Sequence, residues 1–153
     1  MSAVLKPGPR LAPMREADLA EVMAIENRIY AHPWTRGNFA DSLRAGYACR
    51  TWRIDGTLVG YFVLAAGAGE AHLLNLSVAD ASQRRGHGTA LLNEVVRLAR
   101  EQGAERVFLE VRPSNTGAQR LYARYGFRCV ATRRGYYPAR QGREDALVLQ
   151  LKL

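Results

Sequence analysis

Residues 70–111 read EAHLLNLSVADASQRRGHGTALLNEVVRLAREQGAERVFLEV, and the spacing of their apolar side chains constrains the fold. The segment 70–78 predicts a strand, and a glycine-rich turn follows it at 83–88. Apolar residues then recur at helical spacing from Leu91 to Ala99, and 106–111 predicts a second strand. A strand, a helix and a strand in this order predict a parallel pair joined by a right-handed crossover.

Two strand-like runs precede this unit, and two more follow it. Residues 48–54 and 57–66 flank Asp55-Gly56, a strong signal for a two-residue hairpin turn. Residues 127–132 and 146–151 predict a closing pair of strands. We expect all of these strands to pair in the antiparallel direction.

Three more helices are predicted outside the strand–helix–strand unit. Asp18 is a good N-cap for the first, with Glu21 three positions on completing a capping box. Thr35 caps a second, short helix, and a last helix runs from about residue 115 to 125 and ends at Gly126. The predicted fold class is therefore α/β: a mixed, mostly antiparallel sheet with one parallel unit and helices on both faces.

Length and composition favour one domain that spans residues 1–153, with a flexible lead-in over about 1–9. Hydrophobic residues make up 48% of the chain and charged residues 24%, which is typical of a globular protein in solution. We find no apolar run long enough for a membrane helix and no signal peptide, and we expect a cytoplasmic protein without a membrane partner. Cys49 and Cys129 lie among apolar residues and are predicted to be buried, reduced thiols.

The net charge of +8 comes from 22 Lys and Arg residues against 14 Asp and Glu residues. Such a surplus favours an anionic partner, either a phosphate-bearing cofactor or a ribonucleoprotein surface, and the charge alone does not choose between them. The arginines are scattered and form no long basic run, so we expect no direct contact with nucleic acid. No Cys or His cluster has the spacing of metal ligands, and no metal is expected.

The turn at 83–89 has the chemistry of a phosphate site. Gly86 and Gly88 allow a tight turn in which the backbone approaches a ligand closely. The amides of the first helical turn lack intrahelical acceptors and lie at the positive end of the helix dipole, which favours a pyrophosphate. The spacing is that of neither a P-loop nor a dinucleotide-binding turn. A strand-to-helix turn with solvated arginines remains the alternative.

Three ordered motifs make the chain resemble the GNAT superfamily of acetyltransferases. The first is Gln83-x-x-Gly86-x-Gly88, which resembles the loop that binds the pyrophosphate of coenzyme A. The second is Leu109-Glu110-Val111-Arg112 followed by Asn115, and the third runs from Ala118 to Phe127. The resemblance implies a GNAT fold, acetyl-coenzyme A as co-substrate and transfer of its acetyl group to an amine.

Further segments are similar to one branch, the bacterial RimI family. They are His32-Pro33-Trp34-Thr35, the run 133–138 with Tyr136 and Tyr137, and the run 142–146. That family acetylates the N-terminal alanine of the eighteenth small-subunit ribosomal protein, so the resemblance implies a ribosomal-protein N-terminal peptide as partner. His87 departs from the pattern, because the family more often has an aliphatic residue there; it lies between the glycines, so we expect backbone contacts to persist.

Glu110 and Tyr122 are the candidate catalytic residues. Glu110 interrupts an apolar strand and shares a face with Phe108, and a carboxylate near a cleft is expected to have a raised pKa, which suits a general base. The alternative is a solvent-facing acid paired with Arg112 or a neighbour. The resemblance favours Tyr122 as the general acid that protonates the leaving thiolate, and the alternative is a packed core tyrosine.

The resemblance also implies a cofactor site and an acceptor site. Asn115 would cap the last helix and contact the cofactor. Backbone groups of a bulged, splayed strand would bind the pantetheine arm, and one N–H would polarise the thioester carbonyl. The predicted cofactor-binding residues are Leu76, Ser77, Val78, Arg84, Arg85, Gly86, His87, Gly88, Thr89 and Asn115. The predicted acceptor-binding residues are Trp34, Tyr136 and Tyr137, for which ordinary aromatic packing is the alternative.

Other readings of the same residues stay open at this stage. Glu144 and Asp145 either meet a cationic substrate or form a solvated charged pair. Neither cysteine has an electropositive setting, so direct transfer in a ternary complex is expected rather than a thioester intermediate on the enzyme. The acceptor could instead be a lysine, a polyamine or an aminoglycoside, and a non-catalytic module that binds acetyl-coenzyme A or ribosomal RNA is the third hypothesis.

Overall fold

The computed structural model describes residues 8–153, and it places seven strands in one sheet with the order β1-β2-β3-β4-β5-β7-β6. The strands are β1 (Arg10–Pro13), β2 (Ala48–Ile54), β3 (Thr57–Gly67), β4 (Glu70–Val78), β5 (Arg106–Val111), β6 (Arg128–Pro138) and β7 (Arg143–Lys152). The helices are α1 (Leu19–Ile29), α2 (Arg36–Arg44), α3 (His87–Glu101) and α4 (Thr116–Tyr125). Of the predicted lead-in, residues 1–7 lie outside the described residues.

The pairing of the strands confirms the predicted fold class. β4 and β5 form a parallel pair joined by α3, while every other pair of neighbouring strands in the described chain is antiparallel. The helices cover both faces of the sheet, and a hydrophobic cluster lies beneath each layer. None of the described helices is long and apolar enough to cross a membrane.

The central strand β3 supplies both clusters, because alternate side chains of a strand point to opposite faces. Phe62 and Leu64 belong to the cluster beneath α3 and α4, which also holds Leu91 and Leu109. The neighbouring side chains on β3 join Leu19, Val22 and Phe39 beneath α1 and α2. A strand buried on both faces is apolar along its whole length, as the run LVGYFVL at 58–64 is.

The predicted turns and two of the predicted caps are confirmed. Asp55 and Gly56 both have positive φ, 51° and 80°, as a type I′ hairpin turn requires. Thr35 Oγ1 accepts a hydrogen bond from Asn38 N at 3.1 Å, and Asn115 Oδ1 accepts one from Ala118 N at 3.2 Å. These bonds satisfy amides that have no acceptor inside α2 and α4.

The capping box predicted at Asp18 and Glu21 is wrong. The carboxylate of Asp18 accepts from the backbone N–H of Arg15 at 2.8 Å, because a single turn of 3-10 helix, Glu16–Asp18, precedes α1. Both acids also bind the guanidinium of Arg53 on β2, with N–O distances of 3.0 Å. Their role is to attach the start of α1 to the sheet.

Three further expectations need correction. The sequence did not indicate β1, a four-residue edge strand that contains a proline. The last two strands are longer than predicted, because β6 continues to Pro138 and β7 begins at Arg143. Cys49 is buried as expected, but Cys129 is exposed on β6.

Candidate active site

A wedge between β4 and β5 is the central feature of the site. The two strands pair only from Glu70 to His72 and from Arg106 to Phe108, although they continue to Val78 and Val111. The register against β3 shifts where Leu64 pairs with Leu73 and Val63 with Asn75, so β4 has one extra residue there. This bulge turns β4 away from β5 and leaves the β5-facing backbone edge of residues 74–78 without a strand partner in the described chain.

The glycine-rich turn lies where this wedge meets the first turn of α3. Arg84 and Gly86 have positive φ, 63° and 84°, and Gly86 is the N-cap of the helix. The first backbone hydrogen bond of α3 runs from Ala90 N to Gly86 O, so the amides of residues 87–89 have no helical acceptor. A non-glycine residue at positive φ beside free amides is typical of a loop that binds an anion.

The side chains around this turn hold it in place or remain free. Gln83 donates to the carbonyl of Val78 at 3.0 Å, which joins the turn to the end of β4. His87 Nδ1 accepts from the indole N–H of Trp52 at 3.3 Å, so its ring faces β2 while its amide stays free. Arg84 and Arg85 are exposed, and no ion pair to either is found in residues 8–153. The two guanidinium groups are therefore available to a phosphate.

Gly88 has a packing role that the sequence did not indicate. A Cβ at this position would lie 2.8 Å from Leu121 Cδ2 on α4, which is too close for two carbon atoms. Glycine therefore lets the side chain of Leu121 pack against the turn without a shift. Gly86 has open space around it, and its left-handed backbone is what requires glycine there.

Glu110 lies at the mouth of the wedge and is held by two basic side chains. His72 Nε2 is 2.6 Å from Glu110 Oε2, and Arg133 Nη1 is 3.4 Å from Oε1. The side chain of Glu110 is only 10% exposed. Arg112, the partner considered from the sequence, binds Glu144 instead. Because an ionised carboxylate only accepts hydrogen bonds, His72 is the donor in this pair.

The expectation of a raised pKa for Glu110 is wrong. Burial raises this pKa, but the hydrogen bond and charge of His72 and the charge of Arg133 together outweigh it. The net effect is a pKa below the ordinary value of a glutamate. Glu110 is consequently a carboxylate, not a carboxylic acid, throughout the neutral range.

Tyr122 is buried on the inner side of α4, and its ring packs edge-on against Phe127 with centroids 5.5 Å apart. Burial raises its pKa, and the proximity of Tyr30 and Tyr137 raises it further. No hydrogen bond to its hydroxyl is found among residues 8–153. Since every solvent-excluded side-chain N or O atom in that range has a partner, this oxygen must border space that water can reach.

Tyr137 lies within electrostatic range of both Tyr122 and Glu110. Burial raises the pKa of Tyr137, and the charges of Tyr136 and Glu110 raise it further. Tyr137 also lies close enough to Tyr122 to affect the pKa of that phenol.

The three predicted acceptor-binding aromatics lie on two separate segments. Trp34 follows α1 and packs against Phe39, with ring centroids 5.0 Å apart. Tyr136 and Tyr137 lie on β6 with their rings edge to face at 4.8 Å. The guanidinium of Arg112 lies 4.3 Å from the centre of the Tyr137 ring, and that of Arg133 lies 4.5 Å from the Tyr136 ring. Such contacts limit the motion of both tyrosines.

Glu144 and Asp145 bind parts of this chain and do not form the solvated charged pair considered from the sequence. Glu144 accepts from the backbone N–H and the hydroxyl of Ser114 at 2.8 and 2.9 Å. These bonds with Ser114, and then the charge of Arg112, lower the pKa of Glu144. Asp145 accepts from Gly135 N at 2.9 Å, inside a bulge of β6. Both acids fix the segment that carries the tyrosine pair.

A buried polar network on the α1 side of the sheet was missed. Glu26 is 1% exposed and accepts three hydrogen bonds. The donors are Tyr61 Oη at 2.7 Å, Asn75 Nδ2 at 3.2 Å and the backbone N–H of Trp34 at 2.8 Å. Its position on the apolar face of α1, four residues after Val22, was the signal available in the sequence.

The network continues toward the wedge through Ser77. Its hydroxyl donates to Asn75 Oδ1 at 2.7 Å and lies 2.7 Å from the hydroxyl of Tyr30. Burial is the main reason that the pKa of Tyr30 is raised to about 12. The backbone of residues 76–78 thus belongs to the free edge of the wedge, while the side chain of Ser77 faces α1.

The sequence profile described as the acetyltransferase (GNAT) family matches residues 19–127. The [ribosomal protein bS18]-alanine N-acetyltransferase of Escherichia coli (strain K12) is 33% identical over 143 residues, which cover 94% of this chain and 97% of that protein. The crystal structure of the ribosomal-protein-S18-alanine N-acetyltransferase from Escherichia coli superposes with a TM-score of 0.86 at 33% identity, over 94% of this chain and 93% of that one.

Two other solved structures share the architecture. Ard1 from Thermoplasma volcanium gives a TM-score of 0.87 at 26% identity, over 96% of this chain and 99% of its own. YncA from Salmonella typhimurium, described as a putative acetyltransferase with its cofactor acetyl-CoA, gives 0.79 over 96% of this chain and 95% of its own. At 19% identity, the second likeness is one of fold alone.

Proposed function

Because the chain belongs to the acetyltransferase (GNAT) family, we propose that it transfers the acetyl group of acetyl-coenzyme A to the N-terminal α-amino group of alanine in a small-subunit ribosomal protein. The relative from Escherichia coli is named for this reaction on ribosomal protein bS18. The observation that carries the proposal is Glu110 at the mouth of the β4–β5 wedge, held by His72 at 2.6 Å.

The residues around the wedge suit acetyl-coenzyme A. The free amides of residues 87–89 and the exposed guanidinium groups of Arg84 and Arg85 would hold its pyrophosphate, and Asn115, the N-cap of α4, would be a further contact. The β5-facing backbone edge over Leu76, Ser77 and Val78 has no strand partner in the described residues and offers N–H groups to its amide-containing arm. The carbonyls of Leu76 and Val78 already accept hydrogen bonds from Tyr30 and Gln83. When bound, acetyl-coenzyme A supplies the thioester, whose acetyl group is already activated toward an amine.

Glu110 acts as the general base in this proposal. The α-amine of a peptide has a pKa of about 7.7–8.0, so a large share is still protonated at neutral pH. The ionised carboxylate of Glu110 accepts a hydrogen bond from the ammonium group, directly or through one water, and relays its excess proton to solvent, while His72 fixes the orientation of the carboxylate. The amine then attacks the thioester carbonyl as a neutral nucleophile.

Tyr122 acts as the general acid. Its raised pKa keeps the phenol protonated at every pH at which the enzyme would work, so the hydroxyl can donate to the departing thiolate. Trp34, Tyr136 and Tyr137 form the walls that the acceptor peptide passes.

Mass spectrometry of a peptide panel incubated with the protein and acetyl-coenzyme A tests the proposal. The panel contains alanine-starting ribosomal-protein N-termini, other N-termini, and N-blocked peptides with internal lysines. We expect a mass increase of one acetyl group on the alanine N-termini alone. Acetylation mainly of lysines would refute the acceptor assignment, and no acetylation of any peptide would refute the whole proposal.

A substitution tests the role of Glu110 in the same assay. Glu110→Gln should lower kcat about 10²–10⁴-fold, the usual contribution of a general base. Glu105→Gln, which removes an exposed carboxylate just before β5, is the matched control and should leave kcat unchanged. Equal rates for the two variants would remove Glu110 from the mechanism.

A further inference from the structure

The charge of the chain is distributed very unevenly along its length. Residues 1–111 contain 13 Lys and Arg against 12 Asp and Glu, a net charge of +1. Residues 112–153 contain nine against two, a net charge of +7. The final 42 residues therefore carry nearly the whole net charge of +8.

The fold gathers these charges at one end of the sheet. Residues 112–153 form α4, β6 and β7, and β6 is the edge strand. We define the basic edge as the exposed residues Arg120, Arg124, Arg128, Arg134 and Arg140. The first two lie one turn apart on α4, and the others lie on or just beyond β6. The arginines that are scattered in the sequence thus share one border of the molecule.

The arginines of the basic edge lie in a part of the chain that has only two acids, and neither acid is paired with them. Elsewhere, Arg28, Arg44, Arg53 and Arg97 each bind a carboxylate. The two acids of the last 42 residues are occupied, Glu144 by Ser114 and Arg112, and Asp145 by Gly135. No ion pair to any arginine of the basic edge is found in residues 8–153. The positive potential there is left uncompensated.

We propose that the basic edge binds RNA, and this rests on the proposed function, since a ribosomal-protein acceptor is assembled with RNA. Eight of the nine basic residues in the segment are arginine, whose planar guanidinium binds phosphate with two parallel hydrogen bonds and stacks on bases. The seven residues of β6 from Arg128 to Arg134, which precede the acceptor-binding tyrosines, span about 23 Å and offer a track for a few consecutive phosphates.

RNA on this edge would leave the active site open. Tyr122 is buried on the inner side of α4, whereas Arg120 and Arg124 are exposed on its outer side. The wedge and its free amides lie beside α3. A particle that contacts the basic edge would therefore present a protruding protein N-terminus next to the cleft without blocking acetyl-coenzyme A.

Fluorescence anisotropy with a labelled RNA hairpin tests this proposal. Saturating acetyl-coenzyme A is present throughout, so that the phosphate turn is not available to the RNA. The variant Arg120→Gln/Arg124→Gln/Arg128→Gln is compared with Arg10→Gln/Arg100→Gln/Arg106→Gln, which has the same net charge but lacks three exposed arginines outside the basic edge. Acetylation of a free peptide is measured for both variants and should be unchanged.

We expect the basic-edge variant to bind RNA at least about tenfold more weakly, with a salt dependence reduced by roughly one counterion per arginine removed. The control variant should lose much less affinity. Equal losses in the two variants, or no binding of the hairpin by the wild type at low salt, would overturn the proposal. So would polyglutamate or anionic lipid vesicles that compete as strongly as unlabelled RNA. Loss of peptide acetylation by the wild type would count against the proposed function only.

Discussion

Glu110 and His72 form a pair whose main consequence is a pH dependence. A lowered pKa means that Glu110 stays ionised as the pH falls, until the pH reaches that lowered value. The fall of kcat/KM at low pH in the wild type should therefore reflect protonation of the acceptor amine, near pH 7.7–8.0. Protonation of Glu110 should cause no second fall above about pH 4.5.

Removal of His72 should change this profile in a defined direction. In His72→Leu the burial of Glu110 persists without its hydrogen bond, so its pKa should rise and a second acid limb should appear at higher pH. His72→Gln retains an N–H donor and should restore much of the wild-type profile. Measurement of kcat/KM against pH for the three proteins decides this, and a Leu variant with the wild-type profile would refute the role of His72.

Tyr122 and Tyr125 make a matched pair, since only one of them is proposed to act in catalysis. Tyr122→Phe removes a hydroxyl without a hydrogen bond in the described residues, so it should lower kcat about 10-fold or more with little change in stability. Tyr125→Phe removes a hydrogen bond of 2.7 Å to Asn93 and should cost about 1 kcal/mol of stability at unchanged kcat. Steady-state kinetics and thermal unfolding measure both effects, and the opposite pattern would make Tyr122 a packing residue.

The sequence predicted Glu110 and Tyr122 as candidates through the family resemblance, but it did not predict their surroundings. His72 lies 38 positions before Glu110, and the two meet only because β4 and β5 pair in parallel with His72 opposite Phe108. The direction of the pKa shift depends on that contact. The pKa shift of Glu110 that was expected from burial alone therefore had the wrong direction.

At the level of elements, the hydrogen bonds that Glu26 accepts from Trp34, Tyr61 and Asn75 join α1 to the loop before α2, to β3 and to β4. The carboxylate of Glu26 accepts three hydrogen bonds. In a glutamine, one of its two oxygens is replaced by an NH₂ group, which would face a hydrogen-bond donor instead of an acceptor. Glu26→Gln should therefore cost about 1–3 kcal/mol of stability and also raise the KM for the peptide, because the backbone of Trp34 loses its anchor.

A second buried hydrogen bond serves as the control for Glu26. Ser42 is buried in α2 and donates to the carbonyl of Asn38 at 2.9 Å, and it makes no hydrogen bond to Trp34 in the described residues. Ser42→Ala should lower stability without a change in the KM for the peptide. Urea unfolding and peptide-titration kinetics separate the two variants, and similar KM values for Glu26→Gln and wild type would reduce Glu26 to a purely structural group.

Elements were predictable where local chemistry determines them. The Asp55-Gly56 turn, the cap at Thr35 and the end of α4 at Gly126 depend on a few adjacent residues. The extension of β6 depends instead on bulges opposite β7, one of them held by Asp145. The short strand β1 forms because β2 offers an unpaired edge. The two strands lie far apart in the sequence, so local patterns do not predict their pairing.

At the scale of the whole molecule, the wedge is an opening in an otherwise continuous sheet. The pairing of β4 with β5 stops after three residues, so the two halves of the sheet are joined there by few backbone hydrogen bonds. The halves are also linked by α3 across the wedge and by the contact of Gly88 with Leu121. A ligand that bonds to β4 and to the turn before α3 should therefore stabilise the entire fold.

Acetyl-coenzyme A should accordingly raise the melting temperature of the protein. At a ligand concentration of 100 Kd the stabilisation is about 2.7 kcal/mol, which corresponds to roughly 5–10 °C for a chain of this size. In Arg84→Gln/Arg85→Gln the shift should shrink by at least half at the same ligand concentration, while the ligand-free melting temperature should stay unchanged because both arginines are exposed. Differential scanning fluorimetry of both proteins, with and without ligand, measures this; Arg10→Gln/Arg106→Gln is the charge-matched control. An equal shift in all three proteins would mean that the phosphate turn does not hold the cofactor.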